Sequence, residues 1–274
     1  MKRFLKTFVN ASKQSDEQQF RPEHITIELK SAGELDRMRV SGQATATVLR
    51  TLSQHLLPGV TTKELDSLAF ETIRLLGMKP AFLGYRGFPA TACISINDEL
   101  VHGIPSPDRK IQEGDIVSID LGVISQGFYG DCAATFPVGV IPPETRRLLE
   151  VTEKSLWLAI DQVKPGNRLG DVSWAVQKFV EHEGYSVVRD YVGHGIGRKM
   201  HEDPQVPNYG KPGTGIRLVP GMVICIEPMV NIGDWRVRTL ENEWTVVTED
   251  HSLCAHFEHM IAVTKDGHEV LTQL

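Results

Sequence analysis

The stretch from residue 115 to residue 131, DIVSIDLGVISQGFYGD, decides how this chain reads. Ile116, Val117, Ile119 and Leu121 are strand formers, and Ser118 and Asp120 share one face of that strand. Ser125-Gln126-Gly127 reads as a turn, and Phe128 to Cys132 carries the chain back as a second strand. A hairpin folded there sets Asp120 and Asp131 near each other across two apolar strands. Carboxylates in that setting repel and lose hydration, and a bound cation is the simple remedy. The bland alternative is one buried, hydrogen-bonded Asp and one solvated Asp at the hairpin rim.

Outward from the hairpin, the chain repeats itself. Pro58-Gly59 recurs as Pro165-Gly166, and Gly77 recurs as Gly184, each 107 residues on. The same offset takes Gly114 to Gly221, Ile116 to Val223 and Asp120 to Glu227, so GDIVSID is answered by GMVICIE. Each half carries two helices ahead of its acid-bearing strand. In the first, Ser31-Ala32-Gly33-Glu34 is a capping box, followed by Leu35, Met38, Val48, Leu49, Leu52 and Leu56 on broadly one side. Thr61 or Thr62 caps the next helix, with Leu65, Leu68, Ile73 and Leu76 inward. The second half restarts at Pro142-Pro143 with Leu149, Leu156, Ala159 and Val163, then Val172, Ala175, Phe179 and Val180. Before these elements, His24 to Leu29 reads as an edge strand. The expectation is an α/β (α+β) fold of two similar halves, about residues 31–140 and 141–264, around a pseudo-twofold axis and a central antiparallel sheet. Residues 23–274 then form one domain, because each half alone would expose its sheet face.

The composition, 41% hydrophobic and 23% charged, is that of an ordinary soluble chain with ample core. A net charge of -6 argues against a nucleic-acid footprint. Cys93, Cys132, Cys225 and Cys254 form no CxxC pair and read as packed, reduced thiols in a cytoplasmic protein. No apolar run reaches membrane-spanning length. Residues 1–22, basic then polar, read as a flexible N-terminal extension without the continuous apolar core of a secretory signal.

Three more ligand candidates lie in the second half. His194 sits among glycines in YVGHGIG, Glu227 ends the apolar strand of CIEP, and Glu258 heads FEHMIAVT. A single strand-end Glu is usually solvated and a lone His is usually a satisfied polar residue. The case rests on the set of Asp120, Asp131, His194, Glu227 and Glu258. Its four carboxylates balance two divalent ions, and mainly oxygen donors suit catalytic manganese, iron, cobalt or zinc better than a closed thiolate site. Two such ions activate water and polarise a carbonyl, which is the chemistry of hydrolysing an amide or a phosphoester. With no Gly-rich nucleotide loop or basic channel, an amide is the better substrate.

From about Ser31 onward the sequence resembles the type I methionine aminopeptidases, metallopeptidases of the pita-bread fold. The motifs are INDELVHGIP around His102, DLGVISQGFYGD, YVGHGIGRKMHEDPQVPNY, CIEPM and EHMIAVT. The resemblance implies that Asp120 is bidentate on one metal and that Asp131 and Glu258 bridge both. It makes His194 a ligand, and Glu227 both a ligand and the carrier of the water's proton. It places His102 near the scissile amide nitrogen and has His201 donate to the carbonyl oxygen. It lines the methionine pocket with Tyr85, Phe88, Cys93 and Trp244. Phe82 stands where the family often has cysteine, and Met200 where it often has phenylalanine, so pocket shape is the property these two change.

The resemblance further implies a monovalent cation near Asn97, a monomer, and nascent polypeptide N-termini as substrates, with transient contact to the ribosome. The ligands follow one another in the second half without the long insertion of type II enzymes. An Xaa-Pro aminopeptidase of the same fold is the nearest rival, though such enzymes usually carry an extra N-terminal domain for which this chain has no room. A catalytically inactive peptide-binding homologue would show a broken ligand set, and here all five ligands are present.

Overall fold

The computed structural model of the protein describes residues 26–273. The N-terminal extension expected over residues 1–22 lies outside them. The edge strand expected over residues 24–29 is absent from its described part. Residues 26–30 are a strap instead, pinned where Lys30 N–H donates to Gly221 O at 2.7 Å and Lys30 Nζ meets Glu202 Oε2 at 2.6 Å.

Helix α1 (Ala32–Gln54) starts at the expected box, where Ser31 N–H donates to Glu34 Oε2 at 2.9 Å. Helix α2 (Thr62–Leu75) starts at Thr61, which accepts Glu64 N–H at 3.1 Å and donates its own N–H to Glu64 at 2.7 Å. Val48, Leu52, Leu65 and Ile73 are buried, each worth about 1.5–3 kcal/mol relative to exposure. Leu76, expected inward, is 41% exposed because the helix has already ended at Leu75.

The strands of the first half are β1 (Lys79–Pro80), β2 (Ala92–Ile96), β3 (Glu99–Val101), β4 (Ile116–Ser125) and β5 (Phe128–Pro137). The turn between β4 and β5 has φ of 51° at Gln126 and 79° at Gly127, the left-handed geometry of a tight two-residue hairpin. It fixes the register: Asp120 lies opposite Ala133, and Asp131 opposite Gly122. The two acids are therefore diagonal neighbours on one face. β1 and β2 share the other edge of β4, pairing with residues 123–124 and 117–121 respectively.

The second half follows the same plan. Helices α3 (Pro143–Ile160) and α4 (Leu169–His182) precede β6 (Ser186–Val187), β7 (Gly193–Gly195), β8 (Glu202–Val206), β9 (Val223–Ile226) and β10 (Met229–Asn231). After them come β11 (Val237–Thr239), β12 (Val246–Thr248), β13 (Cys254–His256), β14 (His259–Val263) and β15 (His268–Val270). The 107-residue offset holds in three dimensions. It maps α2 onto α4, β1 onto β6, and the start of β4 onto the start of β9. Gly59 N–H donates to Ile111 O, and Gly166 N–H donates to Leu218 O. Glycine pairs 59/166, 77/184 and 114/221 all have φ between 71° and 95°, so the turns as well as the elements are repeated.

Among the described residues all strand pairs are antiparallel, as expected, and they fall into four hydrogen-bonded sheets. The hairpin sheet meets the five-stranded sheet β15-β14-β9-β7-β8 at an isolated bridge, where Glu258 N–H donates to Ala133 O at 2.8 Å. One apolar cluster lies under α1 and α2, a second under α3 and α4, and a third between the halves. The third cluster and that bridge frame the site.

Candidate metal centre

Strand alternation aims the acids inward. Asp120 comes from β4, Asp131 from β5, and Glu258 from the bridge that joins β5 to the second half. His194 is the middle residue of β7, and Glu227 follows β9 directly. Ligand atoms of Asp131, His194, Cys225 and Glu258 all lie within 4.8 Å of one another. His194 Nε2 is 3.6 Å from Asp131 Oδ2 and 3.7 Å from Glu227 Oε1. His194 Nδ1 meets Gly195 O at 2.9 Å, so its proton sits there and Nε2 faces the acids as a free donor pair.

Asp131 and Glu258 are each 3% exposed. Buried oxygens Asp120 Oδ1, Asp131 Oδ1 and Glu258 Oε1 have no hydrogen-bond partner among the described residues. Burial, then the charges of the neighbouring acids, pushes the carboxyl groups of Asp120 and Glu258 well above the usual range. Burial also raises Asp131, against the pull of His194. Burial lowers His194, but the nearby Asp131 and Glu227 carboxylates outweigh it and hold the ring above its ordinary value. Orphaned oxygens and mutually repelling acids fit a set built to hold cations. Cys225 joins the cluster as a thiol, kept protonated by burial and by the surrounding carboxylates.

The histidines at the rim occupy distinct settings. The rings of His201 and His194 are 4.2 Å apart, and Tyr85 OH is 2.8 Å from His201 Nδ1. Loss of water around the ring, then the charges of His194, Arg86 and His102, lower the pKa of His201. Its outer edge stays in solvent, which tempers that shift. His102 is half-buried, with φ of 60°, and burial pushes it down to about 4. Both rings are neutral near pH 7 and carry one N–H.

Phe82, Phe88, Cys93 and Met200 are buried in the cluster between the halves, with Tyr85 and Trp244 packed against it. Phe88 and Trp244 meet edge to face at 5.1 Å, and Trp244 lies 6.2 Å from the ring of His102. Cys93 pairs directly across the sheet with Asp120. The apolar wall therefore adjoins the acids.

Metallopeptidase family M24 matches residues 36–265. The chain belongs to this family, among its methionine aminopeptidases. It is 51% identical over 245 residues to methionine aminopeptidase 1 of Bacillus subtilis, a match covering 89% of this chain and 98% of the relative. The crystal structure of methionine aminopeptidase from Thermotoga maritima superposes with a TM-score of 0.90 at 48% identity, covering 91% of this chain and all of that one. Prolidase from Pyrococcus furiosus has the same fold, with a TM-score of 0.73 at 23% identity, and this chain covers 65% of its length.

Two further residues stand at the centre of this M24 metallopeptidase: Cys225, expected only as a packed thiol, and His256, not expected there. Cys225 lies two positions before Glu227 and so faces the same way, a signal that strand alternation carries. His256 stands two positions before Glu258, is 2% exposed, and has Nε2 3.7 Å from Glu227 Oε2. Among the described residues no helix is long and apolar enough to cross a membrane.

Proposed function

We propose that the protein is a type I, metal-dependent aminopeptidase that removes the N-terminal methionine from newly made polypeptides with a small second residue, in the cytoplasm. The observation that carries this reading is the close grouping of Asp131, His194 and Glu258 donor atoms beside an apolar cluster containing Phe88, Cys93 and Trp244. Asp120, Asp131, His194, Glu227 and Glu258 would hold two divalent ions, of manganese, iron, cobalt or zinc. Such ions, when bound, make water nucleophilic at neutral pH and polarise the scissile carbonyl.

Glu227 takes the proton of the attacking water and hands it to the leaving amine. With the Tyr85 hydroxyl donating to Nδ1, neutral His201 carries its proton on Nε2 and donates to the carbonyl oxygen as that atom gains charge. Neutral His102 meets the amide nitrogen. The methionine thioether packs against Tyr85, Phe88 and Trp244, which suits a flexible, polarisable chain. Phe82 and Met200 complete the apolar wall. A monovalent cation near the backbone of Asn97 and its neighbours belongs to the same proposal; the Asn97 carbonyl there accepts Cys254 N–H at 3.1 Å.

The test is chelation. Removal of metal is expected to abolish release of methionine from Met-Ala-Ser, and added cobalt(II) or manganese(II) to restore it. Full turnover by protein shown to be metal-free by elemental analysis would overturn the reading.

A further inference from the structure

Glu227 is held between two imidazoles. His194 Nε2 lies 3.7 Å from its Oε1, and His256 Nε2 lies 3.7 Å from its Oε2. The first imidazole belongs to the proposed ligand set. The second has no part in the mechanism above, yet it is the more deeply buried of the two.

His256 ends β13 opposite Met229 of β10. Its backbone is clamped, since its N–H donates to Thr135 Oγ1 at 2.9 Å and its carbonyl accepts from the same hydroxyl at 2.9 Å. Thr135 Oγ1 also meets Ser118 Oγ at 2.8 Å, which ties the clamp to β4 and β5. The side chain contrasts with this. Both ring nitrogens are buried and neither has a hydrogen-bond partner among the described residues. Leaving such a group unpaired is costly, and native proteins rarely do so without a purpose. The carboxylate in ion-pair reach of Nε2 is that of Glu227.

We propose that His256 is a positioning residue whose Nε2–H donates to Oε2 of Glu227 and fixes the plane of that carboxylate. With Oε2 held, Oε1 is committed to the side of His194 and the metal set. A carboxylate that both binds a cation and relays a proton needs this restraint, because free rotation would exchange its two oxygens. The 3.7 Å gap is about 0.5 Å beyond a hydrogen bond, and contacts of this kind tighten in the working complex. A neutral imidazole suffices, so the role requires only the N–H. The inference rests on the reading of Glu227 as ligand and proton carrier.

The experiment compares His256→Leu, His256→Phe and His256→Gln in the full-length protein. The first two remove the donor, and the second keeps the ring shape in case the first fails to fold. The glutamine restores an N–H. Cobalt(II) is titrated into metal-free protein and followed by its visible absorption, and turnover of Met-Ala-Ser is measured at saturating cobalt. The donor-less variants are expected to lose about 10- to 100-fold in cobalt affinity or in kcat, with KM moved less than about threefold and an altered cobalt spectrum. His256→Gln is expected to recover the wild-type spectrum and all but about threefold of the loss. Wild-type affinity and kcat in a folded donor-less variant would overturn the proposal, and so would equal losses in the glutamine variant. Cobalt binding is read without substrate, so a wild-type protein that releases no methionine would count against the proposed activity and not against this role.

Discussion

Nε2 of His194 stands 3.6 Å from Oδ2 of Asp131, and the two residues come from opposite halves of the repeat. The contact joins β7 to β5 across the centre of the molecule, where Glu258 N–H also binds Ala133 O. Neither half holds the site alone. Asp131→Asn keeps the shape of the side chain and removes one charge. It is expected to lower metal content from the proposed two ions toward one or none, with methionine release falling in parallel. Elemental analysis beside circular dichroism checks this, and two ions retained at wild-type affinity would contradict it.

His201 touches Tyr85 on one side and faces His194 on the other. His201→Ala is expected to leave metal content intact and lower kcat by about 100- to 1000-fold, the cost of a lost donor to a developing oxyanion. Calorimetric titration separates the roles, because loss of metal in this variant would make His201 a ligand.

Lys30 and Glu202 form an ion pair whose side chains are 3% and 10% exposed. Lys30→Met strands a buried carboxylate and is expected to cost about 3–5 kcal/mol, while Lys30→Met combined with Glu202→Leu recovers most of it. Urea denaturation reads both. A single variant within about 1 kcal/mol of wild type would show that water screens the pair.

The chain announced a good part of this fold. The capping box at Ser31, the threonine cap of the second helix, the Gln126-Gly127 turn and the 107-residue repeat are local or periodic signals, and each appears where it was expected. The four separate sheets were not legible, because hydrogen bonding between distant strands leaves no mark on spacing. The strap at residues 26–30 was misread as a strand for a related reason. Its partners, Gly221 and Glu202, lie about 170–190 residues away and hold the chain by one backbone bond and one ion pair. His256 carried a faint signal, two positions before Glu258, but β13 has three residues, and a strand so short shows no alternation to read.

Gly130 marks a packing limit. A Cβ there would lie 2.6 Å from Ser41 O and 2.7 Å from Thr45 Oγ1, where β5 crosses α1. Gly130→Ala is expected to cost about 1–3 kcal/mol through forced backbone shift. Because Asp131 is the next residue, it is also expected to weaken metal binding. A thermal melt and a cobalt titration measure the two effects, and an unchanged melt would contradict the packing argument.

The proposed pocket reads methionine at the first position and a small residue at the second. The relevant measurement is a panel of Met-Ala-Ser, Met-Gly-Met, Met-Leu-Ser, Met-Lys-Ser, acetyl-Met-Ala-Ser and Ala-Pro-Ala, with released amino acids quantified by mass spectrometry on metal-loaded protein. Methionine is expected from the first two, little from the next two, and none from the acetylated peptide, whose amine is blocked. Faster cleavage of Ala-Pro-Ala than of Met-Ala-Ser would contradict it, and would make the protein an Xaa-Pro peptidase built on the same metal set.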